Sequence, residues 1–519
     1  MKKERSRRDF LKHASIGTLG MLSLGQHACG FGKTKKENKK MNLLFIWTDQ
    51  QRYDTMLAYG NKKIKTPNFN KLTSQSFVFK NTYVTQPVST PSRSTVMTGL
   101  YPHSNGCTAN NIPLREKTPC MPELLNDHEY ETAYMGKWHL GDELYAQHGF
   151  NEWVSISDGY NNYFSEGKDR MKKSTYHHWL IDKGYEPDIK DDPYGERFSR
   201  GAAAKMPLEH TKPMFLKEKA CEFLNKNKDN PFILYVNYLE PHNPYFGPLD
   251  ELHEDENVTV PKTFYTDSIE KNELYRDQIL AEKNKDRYVK NEESIRDLVS
   301  KYWGLVSQVD KSMGAILDKV DELGLTENTI VVFTSDHGEM LGAHKLTGKS
   351  VMFEEAIKVP FILRVPQLGM KERIVEQNVS QIDIVPTILD LMGTKPDESL
   401  QGKSLVPYMK SMDFPEEDIF IQWNPSINHY DVSEEMAHIG DPDALEKSLN
   451  GSARTVVTPD GWKLVLTDHD NYLLFDLKND PLETTNVFYK EENKQIIEKL
   501  TNKIRTWQIE MKDPLELNI

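Results

Sequence analysis

The chain has 519 residues, of which 38% are hydrophobic and 28% charged, and a formal net charge of −13. That length exceeds what one small core organises, and the balance excludes a disordered chain. The first forty residues hold eleven Lys and Arg against three Asp and Glu, which leaves 54 basic and 75 acidic residues from Met41 onward, a formal −21. Such a surface disfavours nucleic acid as a partner, and any anionic substrate must be met by a local basic pocket.

In chain order, residues 1–30 are expected to be an export signal. Ser6-Arg-Arg-Asp-Phe-Leu-Lys12 resembles a twin-arginine motif, and residues 14–25 form an apolar run too short to span a membrane. Ala28-Cys29-Gly30 offers a lipoprotein cleavage site, although Gln26 and His27 fit the preceding positions poorly. Any membrane contact would therefore run through a lipid on Cys29. Residues 31–40 read as a Lys-rich linker, and the protein is expected in the periplasm or at the cell surface. The four cysteines (Cys29, Cys107, Cys120, Cys221) make no disulfide framework and lack zinc-ligand spacing, with a Cys107–Cys120 bridge left open.

From residue 42 the pattern changes to apolar runs that end in polar residues. Asn42-Leu-Leu-Phe-Ile-Trp-Thr48 ends in Asp49-Gln50. Thr329-Ile-Val-Val-Phe-Thr-Ser335 ends in Asp336-His337-Gly338. Phe232-Ile-Leu-Tyr-Val-Asn-Tyr238 runs into Glu240-Pro-His242, and Glu131-Thr-Ala-Tyr-Met135 into Gly136-Lys137-Trp138-His139. Runs of this kind are strands buried on both faces of a parallel sheet, which places its sites at the carboxyl ends. Residues 359–365 are a fifth candidate, expected nearer an edge because of Pro360. Residues 294–323 carry Ile295, Leu298, Tyr302, Leu305, Val309, Met313, Ile316 and Val320 at helical spacing. The fold class is thus α/β, a large mixed and mostly parallel sheet sandwiched by helices. After about residue 410 the alternation stops. Residues 453–467 and 471–477 read as strands, and 491–512 as an amphipathic helix on a small antiparallel sheet. The expected division is a catalytic domain over 41–410 and a C-terminal subdomain over 411–519 that walls the pocket.

One stretch ties these strand ends together. Val88-Ser-Thr-Pro-Ser-Arg-Ser-Thr-Val-Met-Thr-Gly99 reads as a turn entering a helix, with Pro91 suited to the first position and Gly99 to the stop. Ser89 would then lie just outside the helix start, where backbone N–H groups and the dipole favour an anion, with Arg93 one turn on. At two of those strand ends, Asp49, Gln50, Asp336 and His337 offer carboxylate, amide and imidazole ligands, a set suited to calcium or another divalent cation. Lys137 and His139, two apart after a strand, face one side of an extended segment.

Ser89-Thr-Pro-Ser-Arg93, followed by Thr98-Gly99 and Tyr101-Pro-His103, resembles the signature of the formylglycine-dependent type I sulfatases of the alkaline phosphatase superfamily, in its Ser form. The resemblance implies an alkaline-phosphatase-like fold and a carbohydrate sulfatase of bacterial type. It implies that a sulfatase-maturing enzyme oxidises Ser89 to formylglycine (3-oxoalanine), whose hydrate is the nucleophile. It further implies that Ser89 shares the metal with Asp49, Gln50, Asp336 and His337. Calcium is expected, ahead of manganese or magnesium, although Asp49-Gln50 and Asp336-His337 stand closer to the choline-sulfatase and phosphonate-monoester-hydrolase branch. Lys137, Lys349 and Arg93 would hold sulfate oxygens, His139 would take a proton from the formylglycine hydroxyl, and His242 would protonate the leaving oxygen. Asn111, His344 and Lys345 are candidates for contacts to the sulfated saccharide. Two other readings share these residues: a phosphonate, phosphate or choline-sulfate hydrolase on the same site, and a non-catalytic glycan-binding protein with unmodified Ser89.

Overall fold

The computed structural model describes residues 40–254, 257–266, 274–284, 289–432, 436 and 438–517. The export signal, the Cys29 site and residues 31–39 of the linker lie outside the described residues. The main sheet has eight strands: β1 (Asn42–Asp49), β2 (Phe77–Tyr83), β3 (Glu131–Gly136), β4 (Glu152–Val154), β5 (Phe232–Pro241), β6 (Thr329–Ser335), β7 (Lys358–Arg364) and β8 (Arg373–Ser380). Their order is β4-β3-β5-β1-β6-β7-β2-β8. All run parallel except β7, which is antiparallel to both β6 and β2.

Alternation along β1 shows why this sheet needs a layer on each face. Leu44 and Ile46 join one apolar cluster, and Leu43, Phe45 and Trp47 join the other. The first face is covered by α2 (Lys212–Lys226) and α3 (Glu292–Glu322), which supply Phe215, Leu216, Tyr302, Val309 and Met313. The second is covered by α1 (Ser89–Thr98) and α4 (Ile384–Leu391), through Val96, Met97, Ile388 and Leu389. Each such side chain contributes about 1.5–3 kcal/mol of burial. The expected 3.6-residue stripe of α3 is fulfilled, and Asn291 caps its start by accepting the Ser294 N–H at 2.9 Å.

A second sheet, antiparallel, has the order β12-β11-β10-β9, built from β9 (Ile419–Trp423), β10 (Ala453–Val457), β11 (Trp462–Thr467) and β12 (Leu473–Asp476). On one face the terminal helix α5 (Lys494–Met511) buries Leu500 and Ile504 against Val456, Leu464 and Leu474. The other face sets Ile421, Trp423, Val457 and Phe475 against Val84, Val88 and Phe353. The Gln422 N–H also donates to the Thr85 carbonyl at 2.7 Å, so this sheet braces the loop that leads into Ser89. No helix among the described residues is long and apolar enough to cross a membrane.

Three expectations are corrected. β7 is an interior strand, not one near an edge. Pro360 is tolerated because it falls within a register shift of the β2 pairing and outside the paired residues of β6, where its missing N–H breaks no ladder bond. α1 starts at Ser89 itself, with Val88 as its N-cap. Pro91 is therefore third in the helix, still within the first turn, where no N–H is required. Cys107, Cys120 and Cys221 are free thiols, so there is no Cys107–Cys120 bridge.

Candidate active site

The carboxyl ends of β1, β3, β5 and β6 meet the start of α1, whose ten residues are all buried. Polar groups fix the helix there. The Thr90 hydroxyl donates to the His139 carbonyl at 2.9 Å, and Thr90 N–H donates to Asn110 Oδ1 at 2.9 Å. The Ser92 hydroxyl bonds the Asp336 carbonyl and lies 2.9 Å from Gln381 Oε1.

Arg93 is the hub. Its Nε donates to Asp336 Oδ2 and its Nη2 to Asp49 Oδ2, both at 2.8 Å, while Nη1 donates to the Lys137 carbonyl at 2.9 Å. The guanidinium is wholly buried, as are both carboxylates. Burial disfavours its charge, but Asp336 and Asp49 outweigh that and hold it protonated. Lys137 Nζ reaches the same Asp49 Oδ2. Burial would lift the Asp49 pKa; the charges of Lys137 and Arg93 instead hold it well below the usual carboxylate range.

The other oxygen of each carboxylate faces His337. Asp49 Oδ1 is buried with no hydrogen-bond donor, a costly state unless a cation meets it. It lies 3.9 Å from His337 Nε2, and Asp336 Oδ1 lies 3.6 Å from that nitrogen. One donor atom from each of Asp49, Asp336 and His337 falls within 4.8 Å of the others. His337 Nδ1 is turned to the Gly338 carbonyl at 3.0 Å, and burial lowers its pKa to about 4. The ring is thus neutral with Nδ1 protonated, and Nε2 accepts from the Ser89 hydroxyl at 3.0 Å. Gln50 stands beside them on a left-handed backbone (φ 68°) that turns its N–H onto Asp336 Oδ1 at 3.0 Å. Its amide oxygen faces Lys349 Nζ, and its amide nitrogen bonds Glu339 and the Tyr245 hydroxyl. These donors fit a divalent cation.

Two histidines border this centre. His139, also left-handed (φ 60°), has Nε2 2.9 Å from Asn111 Oδ1, while its buried Nδ1 has no hydrogen-bond partner. Burial, then Lys137 and Arg93, push its pKa well down. His242 is half-buried, with Nδ1 3.0 Å from the Asn243 carbonyl; burial, then Lys349, lower its pKa.

Residues 41–394 match the family model described as Sulfatase. The chain belongs to the sulfatase family. It is therefore a sulfuric ester hydrolase. The N-acetylglucosamine-6-O-sulfatase of Bacteroides thetaiotaomicron is 25% identical over 95% of this sulfatase and 91% of its own length. A solved structure of a protein bound to its substrate, D-glucosamine-2-N,6-O-disulfate, superposes with a TM-score of 0.70 at 22% identity, covering 92% of this chain and 99% of that one. The phosphonate monoester hydrolase of Silicibacter pomeroyi gives 0.75 at 21% identity, covering 92% and 96%. Both structural likenesses share the alkaline-phosphatase-like fold.

Of the residues expected at this sulfatase's site, the structure joins Asp49, Gln50, Ser89, Arg93, Lys137, Asp336, His337 and Lys349 by direct contacts, with His242 in the field of Lys349. Asn111 is turned onto His139 rather than outward. The His344 ring is buried and stacked on Phe353 with centroids 4.0 Å apart, and Lys345, half-buried, follows it. Sequence reasoning missed Glu143, which accepts the Trp138 and His139 N–H groups at 3.0 and 2.6 Å and so shapes their turn. It also missed Glu339, whose Oε2 accepts from Tyr245 at 2.9 Å. The Asp336-His-Gly-Glu339 run was a signal for it, since a carboxylate so close to the ligands is seldom idle.

Gly136 (φ 122°) sets the approach of Lys137: a Cβ there would fall 1.8 Å from the Asn237 carbonyl oxygen. Gly136→Ala should therefore cost more than about 4 kcal/mol in denaturant unfolding, because backbone must move. A loss under about 1 kcal/mol would show that the β3–β5 contact yields readily.

Proposed function

We propose that the protein removes sulfate from a sulfated sugar or glycan, of glycosaminoglycan, mucin or algal type, with a formylglycine derived from Ser89 as nucleophile and Ca2+ held by Asp49, Gln50, Asp336 and His337. The observation that carries this reading is the Ser89 hydroxyl, first in its helix and 3.0 Å from His337 Nε2 at the edge of an orphaned carboxylate. Support for a sugar comes from the sulfatase relatives, one of them named for N-acetylglucosamine-6-O-sulfate.

A hydrated formylglycine supplies one hydroxyl to attack sulfur and a second whose deprotonation expels sulfate, and a divalent ion supplies positive charge beside both. The chain's own residues do the rest. Lys137 and Lys349 place ammonium groups beside Asp49 and Gln50, where the oxygens of a bound sulfate need positive charge. His139, its Nε2 occupied by Asn111, offers Nδ1 as a proton acceptor. Burial, reinforced by the field of Lys349, holds His242 neutral. A bound sulfate offsets that field and raises the His242 pKa, so that the imidazolium can protonate the leaving sugar oxygen. Arg93 acts through Asp49 and Asp336, which it fixes.

The same proposal includes maturation by a sulfatase-maturing enzyme, export to periplasm or cell surface with Cys29 as a possible lipid site, and a C-terminal subdomain over 411–519 that borders the pocket.

The test uses protein co-expressed with a maturing enzyme. It compares singly sulfated saccharides, p-nitrophenyl sulfate and phenyl phosphonate, before and after chelation. Sulfate release from a saccharide should exceed phosphonate hydrolysis. Chelation should remove it and lower unfolding free energy by about 2.7 kcal/mol for an ion that had been at a hundredfold excess over its Kd. Calcium should restore both. Faster phosphonate turnover, or indifference to chelation, contradicts the reading.

A further inference from the structure

We propose that Cys120, Glu123 and His148 form a second metal site, suited to Zn2+ and separate from the Asp49–His337 centre. A thiol sulfur, a carboxylate oxygen and an imidazole nitrogen of these residues all lie within 4.8 Å of one another. Cys120 is fully buried and His148 is 8% exposed. The Glu123 side chain, 36% exposed, opens the cluster to solvent. His148 Nδ1 has no hydrogen-bond partner and stands 3.5 Å from Glu123 Oε2. Two ligands on bonds of about 2.0–2.1 Å in a tetrahedral zinc site are roughly 3.3 Å apart, so little adjustment is needed.

The backbone builds this arrangement rather than leaving it to chance. Cys120 caps the helical turn Met121–Leu125, and Glu123 Oε2 accepts the Cys120 N–H at 2.9 Å, which fixes thiol and carboxylate together. The loop carrying His148 is pressed against that turn. His148 is left-handed (φ 51°), and a Cβ on the following Gly149 would fall 2.9 Å from Glu123 Cγ. The donor set also chooses the metal. Sulfur and imidazole with one carboxylate suit Zn2+, whereas calcium takes oxygen ligands. Binding would displace the Cys120 thiol proton to solvent and leave a fourth position for water. The His148 ring lies against Trp138, 5.8 Å between centroids, so this ion would stiffen the turn that carries Lys137 and His139.

The test is a Co2+ titration of the full-length, chelator-treated protein, followed in the near ultraviolet, where a thiolate-to-cobalt band arises only if sulfur binds. The Asp49 centre has no sulfur and cannot give it. The expected result, with the Asp49 centre kept filled by excess Ca2+, is a band that saturates at one equivalent of Co2+, is displaced by Zn2+, and is absent in Cys120→Ser. His148→Gln, which keeps the thiol, should weaken Co2+ binding at least about tenfold. No band in the parent protein, or a band that persists in Cys120→Ser, overturns the proposal.

Discussion

Ser89→Ala should lower sulfate release by at least about 10⁴-fold in protein co-expressed with a maturing enzyme, since the proposed nucleophile is made from this side chain. The fold should tolerate the change. Ser89 contributes a side-chain hydrogen bond to His337 Nε2, whereas the network of Arg93, Asp49, Asp336 and Lys137 closes without it. Unfolding free energy should fall by no more than about 1–3 kcal/mol, the cost of one buried acceptor left without a donor. A correctly folded Ser89→Ala protein with full turnover would remove Ser89 from the chemistry. One that fails to fold would mean that the start of α1 depends on this hydroxyl.

Arg93→Met has the largest expected effect on stability. It leaves Asp49 and Asp336 buried without the guanidinium that joins them at 2.8 Å each. Breaking a buried ion pair by removing one partner costs about 3–5 kcal/mol, and here two carboxylates and a carbonyl lose a donor together. Turnover should vanish as well, because the carboxylates that would hold the metal are no longer fixed. Added Ca2+ should recover part of the lost stability by occupying the space between the acidic groups, a rescue that a pure packing defect would not show. Denaturant unfolding with and without Ca2+ measures both; a change below about 1 kcal/mol contradicts the assigned role.

What the sequence made legible follows from how locally each feature is encoded. β1, β3, β5 and β6 are unbroken apolar runs because both sheet faces are covered, and a polar residue at each carboxyl end marks the site. β2 was not read as a strand because Lys80 and Asn81, half-buried, interrupt its apolar run Phe77-Val-Phe. β8 lies at the sheet edge, where Arg373, Glu376 and Gln377 hide the pattern, and β4 has only three residues.

The site divides in the same way. Ligand types and lysines could be read from short motifs, but their pairing could not. Asn111 meets His139 across 28 residues of chain, and both need left-handed backbone that no residue type demands. Arg93 was expected to hold sulfate oxygens. Three of its five N–H donors go to Asp336, Asp49 and the Lys137 carbonyl, destinations set by where β1, β3 and β6 end, not by the helix that carries it.

Everything assigned to catalysis depends on what residue 89 is in the working protein. The mass of the peptide containing it, taken from a preparation that releases sulfate, tests this most directly. The account predicts a peptide lighter than its Ser form by two hydrogens, with an aldehyde that reacts with a hydrazine. An intact serine in fully active protein would contradict it.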